Sequence, residues 1–181
     1  QVAANQRDYA QAFVHLREAE RLMQQRQIPD TVYRGALLQI SSQLWLQQGR
    51  PELAQEALSR VLRHYRGPLA RQAPPATLML IARNEYLLVL AQVYLHQAKD
   101  PMGRLAPVLE QAQQSAMLAL EVELLFAGAE VAWLSGDSVG AKASLLRGLS
   151  LVDRCGIRQA LRELQLRQPD LMPALGVAES C

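Results

Sequence analysis

Three stretches of this chain share one grammar: an apolar helical segment, a tight turn, and a second helix with alanine at its packing position. They read Leu44-Trp45-Leu46-Gln47-Gln48-Gly49-Arg50-Pro51-Glu52-Leu53-Ala54, Val93-Tyr94-Leu95-His96-Gln97-Ala98 on to Ala106, and Ala132-Trp133-Leu134-Ser135-Gly136-Asp137 on to Ala141. A partial fourth copy opens the chain at Asn5-Gln6-Arg7-Asp8-Tyr9-Ala10. A helical hairpin of this kind cannot bury its apolar face alone and has to stack on its neighbours. The pattern therefore predicts an all-α array of hairpins, and binding is the usual work of such an array.

Composition agrees with a single helical domain. The chain has 181 residues, 50% hydrophobic and only 5% aromatic, with Leu and Ala supplying the apolar content that favours helix over sheet. A net charge of +2 is too small for a nucleic-acid surface, and the arginines are interleaved with Glu and Gln. Cys155 and Cys181 form no metal or disulfide spacing and read as free thiols of a reducing, cytoplasmic compartment. The longest uninterrupted apolar runs, such as Leu78-Met79-Leu80-Ile81-Ala82, fall far short of the ~20 residues that cross a bilayer. No signal peptide is visible, and the chain enters a helical pattern almost at once from Gln1, which predicts a piece of a larger protein.

Capping residues and apolar spacing predict helices at about 7–25, 31–48, 51–65, 76–97, 101–115, 117–134, 138–154 and 157–167, seven or eight in all. Asp30 and the Asp100-Pro101 pair are placed to cap helix starts, and Pro51 suits a first turn. Gly49, Gly136 and Gly156 are placed to end helices, Gly49 and Gly136 with positive φ. The Pro-rich segment 66–75 predicts one irregular connection, and the helix after it reads as the most buried. Residues 1–168 are expected to form one repeat domain, with 169–181 a frayed tail marked by Pro169 and Pro173.

With Asn5, Gly49, Ala98 and Gly136 taken as equivalent turns, a small residue (Ser42, Ala91, Ala129) lies two helical turns ahead of each complete one. This packing logic resembles a tetratricopeptide-like solenoid wound as a right-handed superhelix, with wider spacing than the ~34-residue standard. A closer resemblance covers roughly residues 30 to 165. Leu90-Ala91-Gln92-Val93-Tyr94-Leu95-His96-Gln97-Ala98 is similar to the Leu-Ala-Arg-Val-Leu-Leu-Ala-Gln-Gly segment of MalT-type activators, the large ATP-binding members of the LuxR family. Leu134-Ser135-Gly136-Asp137, Ala141 and Leu151-Val152-Asp153-Arg154-Cys155-Gly156 resemble that family's last repeat. Ile157 and Glu163-Leu164-Gln165 stand where the family carries an aromatic residue and an Asp-Glu-Gly. The resemblance implies a superhelical domain that receives an inducer between an ATP-binding module and a helix-turn-helix. Neither a Gly-x-x-x-x-Gly-Lys-Ser/Thr loop nor a helix-turn-helix signature lies in this stretch, so no direct contact with ATP or DNA is expected of it.

Catalytic and metal chemistry find no pattern here. His15, His64 and His96 fall on separate predicted helices without ligand spacing. Glu121 and Glu123 point to different helix faces, and no Gly-x-Ser-x-Gly elbow occurs. The chain is thus read as non-enzymatic, with no cofactor and no metal. Arg60, Arg63 and Arg66 read as a solvated helix end. The informative constellation is the inner face of the first helix of each hairpin. It comprises Gln39 and Gln43, then Glu85, Gln92 and His96, then Glu123, Glu130 and Trp133. Amides, carboxylates and an indole there suit a polar small molecule or a peptide. The expected function is signal reception in a MalT-like transcriptional regulator, through a small-molecule effector or a protein partner and without membrane contact. The alternative is a tetratricopeptide-type protein–protein scaffold unrelated to transcription.

Overall fold

The computed structural model describes residues 2–26, 30–65 and 74–177. They form nine helices and no strand: α1 (Val2–Gln25), α2 (Asp30–Gln47), α3 (Pro51–Tyr65), α4 (Pro75–Tyr94), α5 (Pro101–Gln114), α6 (Leu118–Leu134), α7 (Ser138–Cys155), α8 (Gln159–Arg167) and α9 (Leu171–Ala174). The turn at Ile28-Pro29, most of the Pro-rich connection and Cys181 lie outside the described residues.

Local chemistry sets the helix ends. Asp100 and Asp137 each accept a hydrogen bond from a backbone N–H three residues on, Gly103 and Gly140, at 2.9 Å. Pro51, Pro75 and Pro101 open α3, α4 and α5, where a missing N–H costs nothing. The helix C-termini repeat one device. Gly49 at φ +70 donates to Leu46 O while Arg50 N reaches back to Trp45 O; Gly136 at φ +83 donates to Trp133 O while Asp137 N reaches Ala132 O. This doubled bond satisfies carbonyls that the helix end would orphan.

The same paired bonds form at two residues that are not glycine. His96 (φ +55) and Ala116 (φ +52) end α4 and α5 with identical bonding. The equivalent turn of the middle hairpin is therefore at His96, two residues before Ala98. Glycine marks this turn in sequence, and its absence hid the position. Asn5 also proves to be no turn, since it lies inside α1.

Packing follows the hairpins. α2 touches α4, α4 touches α6 and α6 touches α8, a continuous row; α3 packs on α2 and α4, α5 on α4 and α6, and α7 on α6. α4 and α6 have neighbours on both sides and are apolar nearly all round. Eleven of the 17 residues of α6 are buried against twelve of the 20 of α4, so α6, not the helix after the Pro-rich segment, is the more enclosed. α4 is long and apolar enough to cross a membrane by composition, yet 67% of its apolar window is covered by its neighbours, as in a core helix. α6 and α7 approach closely: a Cβ on Gly148 would stand 2.6 Å from the Phe126 ring. Glycine accepts its helix-propensity cost there because the ring occupies the space.

The C-terminal boundary moves. Leu171, Met172 and Leu175 are buried with Val122, Phe126, Leu145 and Leu164 in one cluster. The stretch through Val177 thus belongs to the folded domain and is no frayed tail after residue 168. Three apolar side chains spaced to share a short helix face outweigh the two prolines around them.

Candidate functional site

Along the α2–α4–α6–α8 row lies a cavity of about 400 Å³. α2 contributes Gln39 and Gln43, α4 Arg83 and Tyr86, α6 Glu123, and α8 Glu163 and Arg167, over an apolar floor that includes Leu87, Leu120 and Leu124. Three of the sequence-derived candidates, Gln39, Gln43 and Glu123, are therefore in its wall.

Two charge pairs tie the row together. Arg83 Nε and Nη2 donate to the two carboxylate oxygens of Glu123 at 2.9 and 2.8 Å, a bidentate fork from α4 to α6. That bond, more than any other influence, raises the Arg83 pKa above its ordinary value. Glu130, 1% exposed, is the hub of the second pair. It accepts from the Tyr86 hydroxyl at 2.7 Å, from Arg167 Nε at 3.0 Å and Nη2 at 2.8 Å, and from the Gln168 amide at 3.3 Å. A buried carboxylate persists only when its lone pairs are filled in this way. Burial first, and then the Glu130 charge, pushes the Tyr86 hydroxyl well above the usual tyrosine range. Burial works against the charge of Arg167, but Tyr86 and Glu130 together raise its pKa.

Glu130 thus sits on the row but holds helices together; its oxygens are filled by α4 and by α8 and its C-terminal edge. Glu85 and Gln92 do not face the cavity. Arg104 of α5 donates to Gln92 Oε1 at 3.0 Å and lies 3.6 Å from Glu85 Oε2, so both serve the α4–α5 contact. His96 is exposed in the turn after α4. Trp133 is half-buried against the α6–α9 cluster and is a packing residue, as Leu46 and Val93 are at the same place before their own turns.

One register error accounts for the α4 assignments. Two residues along a helix is about 200° of rotation, close to the opposite face. Counted from His96, the residue matching Glu123 is Arg83, and the one matching Gln39 and Phe126 is Tyr86. Arg83 and Glu123 therefore stand at equal heights in successive hairpins, which is why they meet. On α8, the Glu163–Arg167 pair at i, i+4 was the sequence signal for the last wall.

Glu121 accepts from Gln113 of α5, away from the α4 partner of Glu123, so the two carboxylates do face apart. Among the described residues, no three His, Cys, Asp or Glu side chains converge as a metal set would. Compared with models of known families, with curated proteins and with solved structures, the chain matches none.

Proposed function

We propose that this chain is a non-catalytic signal-reception domain, a tetratricopeptide-like right-handed superhelix of a MalT-like regulator, with the cavity on its concave face as the receiving site. The observation that carries this reading is the convergence of α2, α4, α6 and α8 on one cavity. Its volume lies within the roughly 300–1,000 Å³ of small-molecule sites. Gln39 and Gln43 bring side-chain amides to the wall, and apolar floor and charged rim lie side by side. Recurrence of the same helix-ending turn at Gly49, His96 and Gly136 supports the repeat character. The engagement of Glu123 and Glu130 by arginine supports binding over acid–base catalysis.

The mechanism is a population shift. A ligand spanning α2 to α8 favours one spacing of the hairpins, and shifts the equilibrium only by its preference for that spacing. The α8 segment, joined to the rest through Glu130, is the element through which such a change passes toward the C-terminus.

The test is a thermal-shift screen of cytoplasmic metabolites followed by methyl NMR. Hits should move the methyl signals of Leu87, Leu120 and Leu124 and the side-chain amides of Gln39 and Gln43. ATP and duplex DNA should move none of these. Hits that map instead to the α3, α5 and α7 surface, or a protein partner bound there with no metabolite bound in the cavity, would favour the scaffold.

A further inference from the structure

We infer that the cavity receives the carboxylate of a small organic acid, bound by the Nη1 edges of Arg83 and Arg167 in competition with the Glu163 carboxylate. The inference rests on the reading of this cavity as a ligand site and names the class of ligand.

Hydrogen-bonding capacity carries the argument. A guanidinium has five N–H donors in a rigid fork. Arg83 spends Nε and Nη2 on Glu123, and Arg167 spends Nε and Nη2 on Glu130. Among the described residues that leaves Nη1 of each without a hydrogen bond, one on α4 and one on α8, and both arginines line the cavity. Glu163 is the one wall carboxylate not gripped by a fork. It lies 3.9 Å from Arg167 Nη1, beyond hydrogen-bond range, and is half-exposed at 53%. Its hydrogen bond comes from the Gln159 amide one turn away. Its charge nonetheless acts on both guanidiniums. Glu163 thus supplies negative charge beside two donor edges without filling either.

A ligand carboxylate seated on those edges exchanges that loose attraction for charge-assisted hydrogen bonds. Glu163, being half-exposed, turns outward. Net charge alone would not favour an anion, since three carboxylates and two guanidiniums stand near the cavity. Two of those carboxylates, however, are already engaged by arginine, and the third, Glu163, accepts from Gln159 and is 53% exposed, free to yield its place beside the donors. An amine would meet both guanidinium edges. The Leu87, Leu120 and Leu124 floor then takes an apolar body, and Gln39 and Gln43 any further polar group.

The probes are 4-phenylbutyrate, its amide and 4-phenylbutylamine, titrated into the whole 181-residue chain and followed by methyl NMR. The acid should shift the Leu87, Leu120 and Leu124 methyls at lower concentration than either analogue. Glu163→Gln should tighten the acid about tenfold without changing the amide, and Arg83→Gln should weaken it about tenfold. Glu163 is exposed, so its variant keeps the test valid even if Arg83→Gln destabilises the fold. If the amide or the amine binds the cavity as well as the acid, the carboxylate inference falls and the ligand-site reading stands. If no probe moves those methyls, in the parent chain or in Glu163→Gln, both fall.

Discussion

Replacing Arg167 with methionine tests whether the Glu130 hub holds α8 onto the row. The variant keeps the apolar stem of the side chain and removes the fork that reaches Glu130 from Nε and Nη2. Glu130 is 1% exposed, so its charge would be left with the Tyr86 hydroxyl and the Gln168 amide alone. Breaking a fully buried pair costs about 3–5 kcal/mol. Arg167 itself is 41% exposed, so screening lowers the expected loss to about 2–3 kcal/mol. The double variant Glu130→Met/Arg167→Met removes the stranded charge and leaves the Tyr86 hydroxyl without its acceptor, a cost of about 1 kcal/mol. It should therefore be more stable than Arg167→Met alone. Urea unfolding followed by helical circular dichroism, with the slope checked for constancy, measures both. A loss below about 0.5 kcal/mol in Arg167→Met, or strict additivity of the two substitutions, would refute the hub.

Ala116→Gly should raise stability by about 1 kcal/mol, since glycine adopts the positive φ of that turn without strain; an unchanged urea midpoint would count against the turn. Trp133→Ala should cost about 3 kcal/mol through lost packing in the α6–α9 cluster while leaving the affinity of any cavity ligand unaltered. The reverse pattern, intact stability with lost binding, would return Trp133 to the cavity wall. Gly148→Ala should destabilise by about 1–3 kcal/mol because the added methyl meets the Phe126 ring, and a stabilised variant would mean that the ring has room to move. The Tyr86 hydroxyl, raised in the folded state, stays protonated where the unfolded chain ionises. Its contribution is complete below about pH 10 and declines as pH climbs above that value, so the alkaline fall in stability should be shallower in Tyr86→Phe. Identical alkaline slopes in the two proteins would contradict that assignment.

What could be read along the chain was whatever is decided within one helical turn. Asp100 caps its own neighbours, Gly49 and Gly136 relieve their own backbone, and apolar residues three and four apart declare helix before any partner is present. The helical class, most helix boundaries, the buried small residues Ser42 and Ala129, and the Gln39–Gln43 and Glu123 faces followed from that local physics, whereas Ala91 is buried but out of register with those two, Val89 holding their place before His96. The turn at His96 was illegible because a histidine, far less often found at positive φ than glycine, carries it. From that one position the whole face of α4 was misread.

Partnership across the fold was settled only by tertiary packing. Arg83 finds Glu123, and Arg167 finds Glu130, across separations that no local pattern encodes. Leu171, Met172 and Leu175 look like a tail until α6, α7 and α8 supply the surface they cover. Helix ends and faces depend on bonds between near neighbours, and so can be read from the order of residues. Which carboxylate is clamped, which guanidinium edge stays open and which segment is core depend on how those faces are brought together in space, which sequence order alone does not specify.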